Sequence, residues 1–274
     1  MTIAPERPLE QEPLRPERTN WTLVIILMAL IAGLVVAIAV VVSNDDDEPS
    51  TSGERISGSG TVVVEDRAVG DLDAVSLFSS GRIIITQGSD TSLSVEADDN
   101  LLAYIQTDVR GGTLEIGAER DGRSYNLDPS DEIIYRLGVA DLSQIEVFGA
   151  GTVEVGPLTL DTLDVRVMGS ADVTLDALTA DRLDIEVPGS ADLRLSGVVP
   201  EQTIRWMGAG TYDGTELQSE SAEVDMLGAA SIDLWVTDSL DVTITGAGTV
   251  RYYGTPSVDQ TVTGVGSVKS LGAK

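Results

Sequence analysis

Carboxylates are the only abundant reactive side chains in this sequence. It carries 45 acidic residues against 17 basic ones, for a formal net charge of −28, and has neither cysteine nor histidine. Those absences exclude disulfides, thiolate–zinc sites, imidazole metal ligands and Ser-His-Asp triads. Enzymes built only on carboxylates, as glycosidases are, remain possible. Three pairs have suitable spacing: Asp161 with Asp164, Asp181 with Asp184, and Glu223 with Asp225. A chain this acidic forms such pairs by chance, and exposed acids are the norm, so a solvated surface is the preferred reading. The 4% aromatic content also leaves little for a sugar to stack on. Hard cations are the second chemistry to weigh, with Asp172 and Asp192 as bridging ligands. The nine-residue G-G-x-G-x-D repeat of calcium-binding solenoids is missing, however. No metal site and no cofactor is expected.

Those acids sit in a repeat. Glycine-led units begin at Gly149 (GAGTVEV), Gly169 (GSADVTL), Gly189 (GSADLRL), Gly208 (GAGTYDG), Gly228 (GAASIDL), Gly246 (GAGTVRY) and Gly264 (GVGSVKS). The starts are 18–20 residues apart, a period that marks a solenoid with one coil per unit. Four residues before the glycine stand Ile145, Val165, Ile185, Ile204, Val224 and Val242. Two before it stand Val147, Val167, Val187, Trp206, Met226 and Ile244. Four after it stand Val153, Val173, Leu193, Tyr212, Ile232, Val250 and Val268. Period-two alternation on both sides of the glycine predicts two half-buried strands per coil, and excludes helix. The glycine and its small neighbours predict a sharp corner where coils approach closely. Thr152, Asp172, Asp192, Thr211, Ser231, Thr249 and Ser267 then read as bend residues.

Stacking also orders the outward positions. Glu146, Arg166, Glu186 and Arg205 alternate in sign from coil to coil, ahead of Asp225. Glu154, Thr174, Arg194 and Asp213 likewise avoid placing equal charges on neighbouring rungs. Rungs about 4.8 Å apart would reward that order, which is the best sequence evidence for parallel stacking.

One column has binding character. Immediately before the glycine come Phe148, Met168, Pro188, Met207 and Leu227, then Thr245 and Thr263. If the alternation persists that far, the five apolar residues face outward in a stripe on the order of 20 Å long, suited to contact. The alternative is that the chain has begun to bend there, so that they fill the corner or lie beneath the amino-terminal coil. That is the commoner arrangement.

Upstream, residues 58–140 are β-like with less regular turns. Val75, Leu77, Ser79-Ser80-Gly81, Ile83 and Ile85 form a degenerate coil, and "YIQTDVRGGTLEI" predicts a hairpin about Gly111-Gly112. Asn100 is expected to cap one helical turn, and this atypical region to shield the end of the stack. Regular repeats then run over 141–270, for about ten coils in all.

Ahead of the solenoid, Trp21–Val42 holds no charged residue and is long enough for a transmembrane helix. Arg7, Arg15 and Arg18 precede it and no basic residue follows before Arg55. The positive-inside rule therefore keeps tail 1–20 cytoplasmic and exports residues 43–274. Cleavage after Ala39 is the less favoured alternative, because signal-peptide apolar cores are shorter. Residues 43–57 read as a flexible acidic linker, and 58–274 as the solenoid domain.

The region from "VSLFSSGRIIITQG" through "ADDNLL" to "YYGTP", spanning about Val69–Ser270, resembles the putative auto-transporter adhesin, head GIN domain family of bacterial envelope proteins. The resemblance implies an all-β, right-handed parallel β-helix at the bacterial surface or periplasm. It implies no enzyme activity, and it transfers no site residue. Many similar proteins begin with a lipid-modified cysteine, whereas here a membrane helix is expected in that place. The expected function is a membrane-anchored, non-enzymatic binding, scaffold or adhesin-like module. Its partners would be the membrane through residues 21–42 and an envelope protein or glycan, with self-association open. Nucleic acid is excluded by charge. The alternatives are a carbohydrate-active β-helix using carboxylates and a self-assembling envelope filament subunit.

Overall fold

Alternation of inward and outward side chains decides how this chain folds. The computed structural model describes residues 54–274, and in them every regular element is a strand except a single 3-10 turn, Leu102–Tyr104. The expected tail, membrane helix and linker up to residue 53 lie outside the described residues. Among the described residues no helix is long and apolar enough to cross a membrane. Glu54–Ser57, expected within the linker, is a strand paired in parallel with Arg123–Asp128.

The strands stack into a β-solenoid of right-handed type, with eight rungs in its first wall. Its first wall runs in parallel register through Ala74–Leu77, Gln144–Val147, Thr162–Val167, Arg182–Val187 and Glu201–Trp206. It continues through residues 221–226 and 239–246 to Ser257–Gly264. Val165 stands directly opposite Ile185, as the repeat requires. The second wall, beyond the glycine corner, stacks Ser80–Gln87, Ala150–Val155, Ser170–Thr179, Ser190–Val198 and their successors, ending at Ser267–Gly272. A short third wall, unannounced by the repeat columns, aligns Leu158, Leu178, Gly197 and Leu217.

Inward residues of the first two walls are almost fully removed from water: Leu163, Val167, Ile204, Val224, Val242 and Val250 are each 0% exposed. Burying each aliphatic side chain contributes about 1.5–3 kcal/mol. One layer of the core is polar. Tyr212 Oη donates to Gln202 Oε1 at 2.9 Å, and Gln202 Nε2 donates to Ser219 Oγ at 2.6 Å, all three buried.

The turn count falls short of ten because residues 88–140 build a cap rather than successive coils. Ser92–Asp98 runs antiparallel to both Val62–Arg67 and Ile134–Val139. Ile105–Arg110 forms the expected hairpin with Thr113–Arg120 about Gly111-Gly112, both at positive φ. Asn100 does not cap the 3-10 turn, whose N-cap is Leu101 without a side-chain bond. Its amide instead grips the incoming chain, accepting from Ser59 N at 2.8 Å and donating to Ser57 O at 2.9 Å. Asp98, 0% exposed, completes the clasp: it accepts from Gly60 N at 2.7 Å, Ser130 N at 2.8 Å and Ser130 Oγ at 2.6 Å. These bonds hold the carboxyl below the usual carboxylate range, Ser130 most of all.

Candidate functional site

The stripe column lies on the outside. Each of its residues follows a buried one, so alternation carries it outward: Val147 and Val167 are 0% exposed, while Phe148 and Met168 are 36% and 37% exposed. Leu227 reaches 54%, Pro188 is exposed and Met207 half-buried. The bend comes one residue later than the corner-filling alternative requires. Backbone bonds carry the register through the column, from Phe148 N to Leu77 O, Met168 N to Val147 O, Met207 N to Val187 O and Leu227 N to Trp206 O.

The stripe is also longer than the repeat columns suggest. Ser80 pairs with Ala150, which puts Phe78 beside Phe148. Phe78 is 50% exposed and stacks on Phe148, with ring centroids 4.4 Å apart. Aligning "VSLFSSG" with "IEVFGAG" could have revealed it, but Ser79 replaces the leading glycine. At the other end the stripe gives way to Thr245 and Thr263.

Close approach explains the glycine that follows each stripe residue from Phe148 to Leu227. A Cβ on Gly169 would lie 1.9 Å from Gly149 O. No larger residue fits without separating the coils. Beyond the glycine, Ala150, Ser170, Ser190 and Ala209 floor a groove of about 620 Å³, with Asp172 and Asp192 on its flank. Phe78 borders a second groove of about 480 Å³ at the capped end, beside Tyr125 and Asn126.

The acids lie elsewhere or stand as simple rungs. Asp172 is directly opposite Asp192, which accepts a 2.5 Å hydrogen bond from Thr211 Oγ1. Asp164 is opposite Asp184, and burial followed by that neighbour raises the Asp164 pKa. Burial also raises Asp225, against the pull of Arg205. Asp161 and Asp181 are exposed. Glu223 and Asp225 flank the buried Val224 on one outward face, Glu223 exposed and Asp225 half-buried. Among the described residues no group of three acids stands together so as to hold a metal ion.

The charge ladder is present in part. Arg166 bridges Glu146 at 3.5 Å and Glu186 at 2.7 Å. Arg194 is 3.7 Å from Asp213, but the next rung places Asp233 against Asp213, so the second column does stack equal charges. Arg251 relieves that contact by binding Asp233 at 2.6 Å. Burial pushes the Asp213 pKa up, yet bonds from Thr215 and the Arg194 charge outweigh it and leave it lowered.

A parallel β-solenoid with an antiparallel cap and an apolar seam beside a glycine corner is the class this geometry defines. The chain belongs to the family described as putative auto-transporter adhesin, head GIN domain, which matches residues 71–256. Three solved structures share the fold. A putative adhesin from Bacteroides fragilis is 24% identical with a TM-score of 0.72, over 79% of this chain and 100% of its own. A putative lipid binding protein from Parabacteroides distasonis is 23% identical with a TM-score of 0.65, over 80% and 100%. A putative adhesin from Parabacteroides merdae is 19% identical with a TM-score of 0.54, over 80% and 100%. No curated protein matches the chain.

Proposed function

We propose that this protein is a non-enzymatic, adhesin-like binding module, tethered by residues 21–42 to the bacterial cell membrane and displayed outside the cytoplasm. Its contact surface is the seam Phe78, Phe148, Met168, Pro188, Met207 and Leu227, and its partner is an envelope protein or glycan. The observation that carries this reading is the outward exposure of apolar side chains on consecutive rungs, on a wall whose other outward positions are polar or charged. Contiguous apolar surface of this kind marks contact sites on soluble domains. Family membership and the adhesins sharing the fold support a binding rather than a catalytic role.

The test uses the full chain in detergent and measures retention on immobilised envelope protein and, separately, on peptidoglycan glycan. Phe148→Glu with Met168→Glu should keep cooperative thermal unfolding and reduce retention at least about tenfold, as loss of interface anchors does. Unchanged retention would remove the seam from the function. Loss of cooperative unfolding would show that these side chains support the core.

A further inference from the structure

The two ends of the solenoid are finished differently. At the amino-terminal end the antiparallel strands Val62–Arg67, Ser92–Asp98 and Ile105–Arg110 cover the last inward rungs, and the outer edge left over belongs to Val62–Arg67, which carries Glu65, Asp66 and Arg67. At the other end Ser257–Gly264 and Ser267–Gly272 form the last coil, and among the described residues no strand pairs with their outer edges. Positions that are sealed in earlier coils open there. Val242 and Ile244 are 0% exposed, but Gln260 and Val262, one rung on, are exposed, Val262 at 40%.

The strand Ser257–Gly264 is only lightly defended against pairing. Exposed edges are usually blunted by charge or proline, yet Ser257–Gly264 has one charged residue, Asp259, and no proline. The carboxy-terminal tail turns aside: Lys274 Nζ sits 4.6 Å from the Trp235 ring centroid and 2.7 Å from Glu216. Charge points the same way. Both lysines of the chain, Lys269 and Lys274, fall in the last coil and its tail, where Asp259 is the only acidic side chain. In a chain of net charge −28, this is the surface where two copies meet with least repulsion.

We propose that two copies of this chain join end to end through their last coils, by antiparallel pairing of Ser257–Gly264 about a two-fold axis at Gln260. The register follows from parity. The inward row Val258, Gln260 and Val262 must meet its own kind for the two cores to become continuous. Centring on Gln260 sets Val258 against Val262 and the two Gln260 amides against each other, while Asp259 faces Thr261. No like charges meet, and paired amides can satisfy one another where a lone buried one could not. A two-fold contact of this kind closes at the dimer and does not propagate into a filament. The proposal does not rest on the apolar seam.

The experiment takes the full chain in detergent and measures protein mass by light scattering across a concentration range. A limiting dimer is expected, and Phe148→Glu with Met168→Glu should leave it intact. Val262→Lys should weaken association about 100-fold or more, because each lysine would bury an unpaired charge against Val258 of the other copy. Because the chain has no cysteine, Gln260→Cys should form a covalent dimer on oxidation, whereas Val63→Cys on the capped end should not. Monomer at all concentrations, mass rising without limit, or a dimer that survives Val262→Lys and fails to cross-link at Gln260→Cys would each overturn the proposal.

Discussion

Phe78 lies nearly flat on Phe148, with 14° between ring planes and 4.4 Å between centroids, and so carries the seam from the regular repeats onto the irregular first coil. Both rings keep an open side toward solvent. Stacking of this kind adds about 0.5–1.5 kcal/mol beyond area burial. Phe78→Ser should therefore cost about 1 kcal/mol in denaturant unfolding and weaken partner retention as much as Phe148→Ser does. A cost of about 3 kcal/mol or more would instead be the signature of a core aromatic.

How much of this was legible depends on the distance over which each residue acts. Val165 and Ile185 announce their pairing because identical patterns recur in sequence and backbone pairing acts rung to rung. The seam was visible as a column, but its direction hinged on where the chain bends, which is set by Gly169 meeting Gly149 across coils. Asn100 differs from expectation because its partners, Ser57 and Ser59, lie in a segment with no matching motif, and a helical cap is the nearest local use for an asparagine. The third wall went unseen because Leu158, Leu178 and Gly197 belong to connections whose lengths vary from coil to coil.

Arg166 stands between Glu146 and Glu186 on an exposed face, so its two bridges set register more than they stabilise. Arg166→Ala should cost no more than about 1 kcal/mol. Arg166→Glu should cost more, because it leaves three carboxylates on consecutive rungs. In about 1 M salt, where screening acts over about 3 Å, the two variants should converge. Urea unfolding at low and high salt would measure this, and a gap that ignores salt would place the effect in packing.

The buried chain from Tyr212 through Gln202 to Ser219 interrupts an otherwise apolar column, with Leu183 on the preceding rung and Ala222 on the next. Burial pushes the Tyr212 phenol well above its ordinary value, which keeps it a neutral donor. Gln202→Leu should cost about 1–3 kcal/mol by stranding the phenol and the serine hydroxyl. Adding Tyr212→Phe should recover part of that loss, whereas independent sites would simply add. A double-mutant cycle on unfolding free energy decides between these outcomes.

Asp98 and Asp164 should respond to acid in opposite senses. Hydrogen bonds from Ser130 and Gly60 lower the Asp98 pKa, so its contribution is complete above the ordinary carboxylate value and is lost as pH falls through the folded value. Burial and Asp184 raise Asp164, so its ionised form works against the fold at neutral pH, and that penalty disappears as pH falls through the raised value. Acid should therefore loosen the amino-terminal clasp before it loosens the first wall. Amide protection factors over residues 58–67 should fall as pH drops below the ordinary carboxylate range, and Asp98→Asn should show the same loss of protection already at neutral pH. Asp164→Asn should raise the thermal midpoint at neutral pH, by about 1–2 °C for the relief of one pair of opposed like charges. Near about pH 3, where the wild-type carboxyl is itself protonated, it should match wild type. If residues 58–67 stay protected in acid, the clasp is held by Asn100 and backbone pairing rather than by the Asp98 charge.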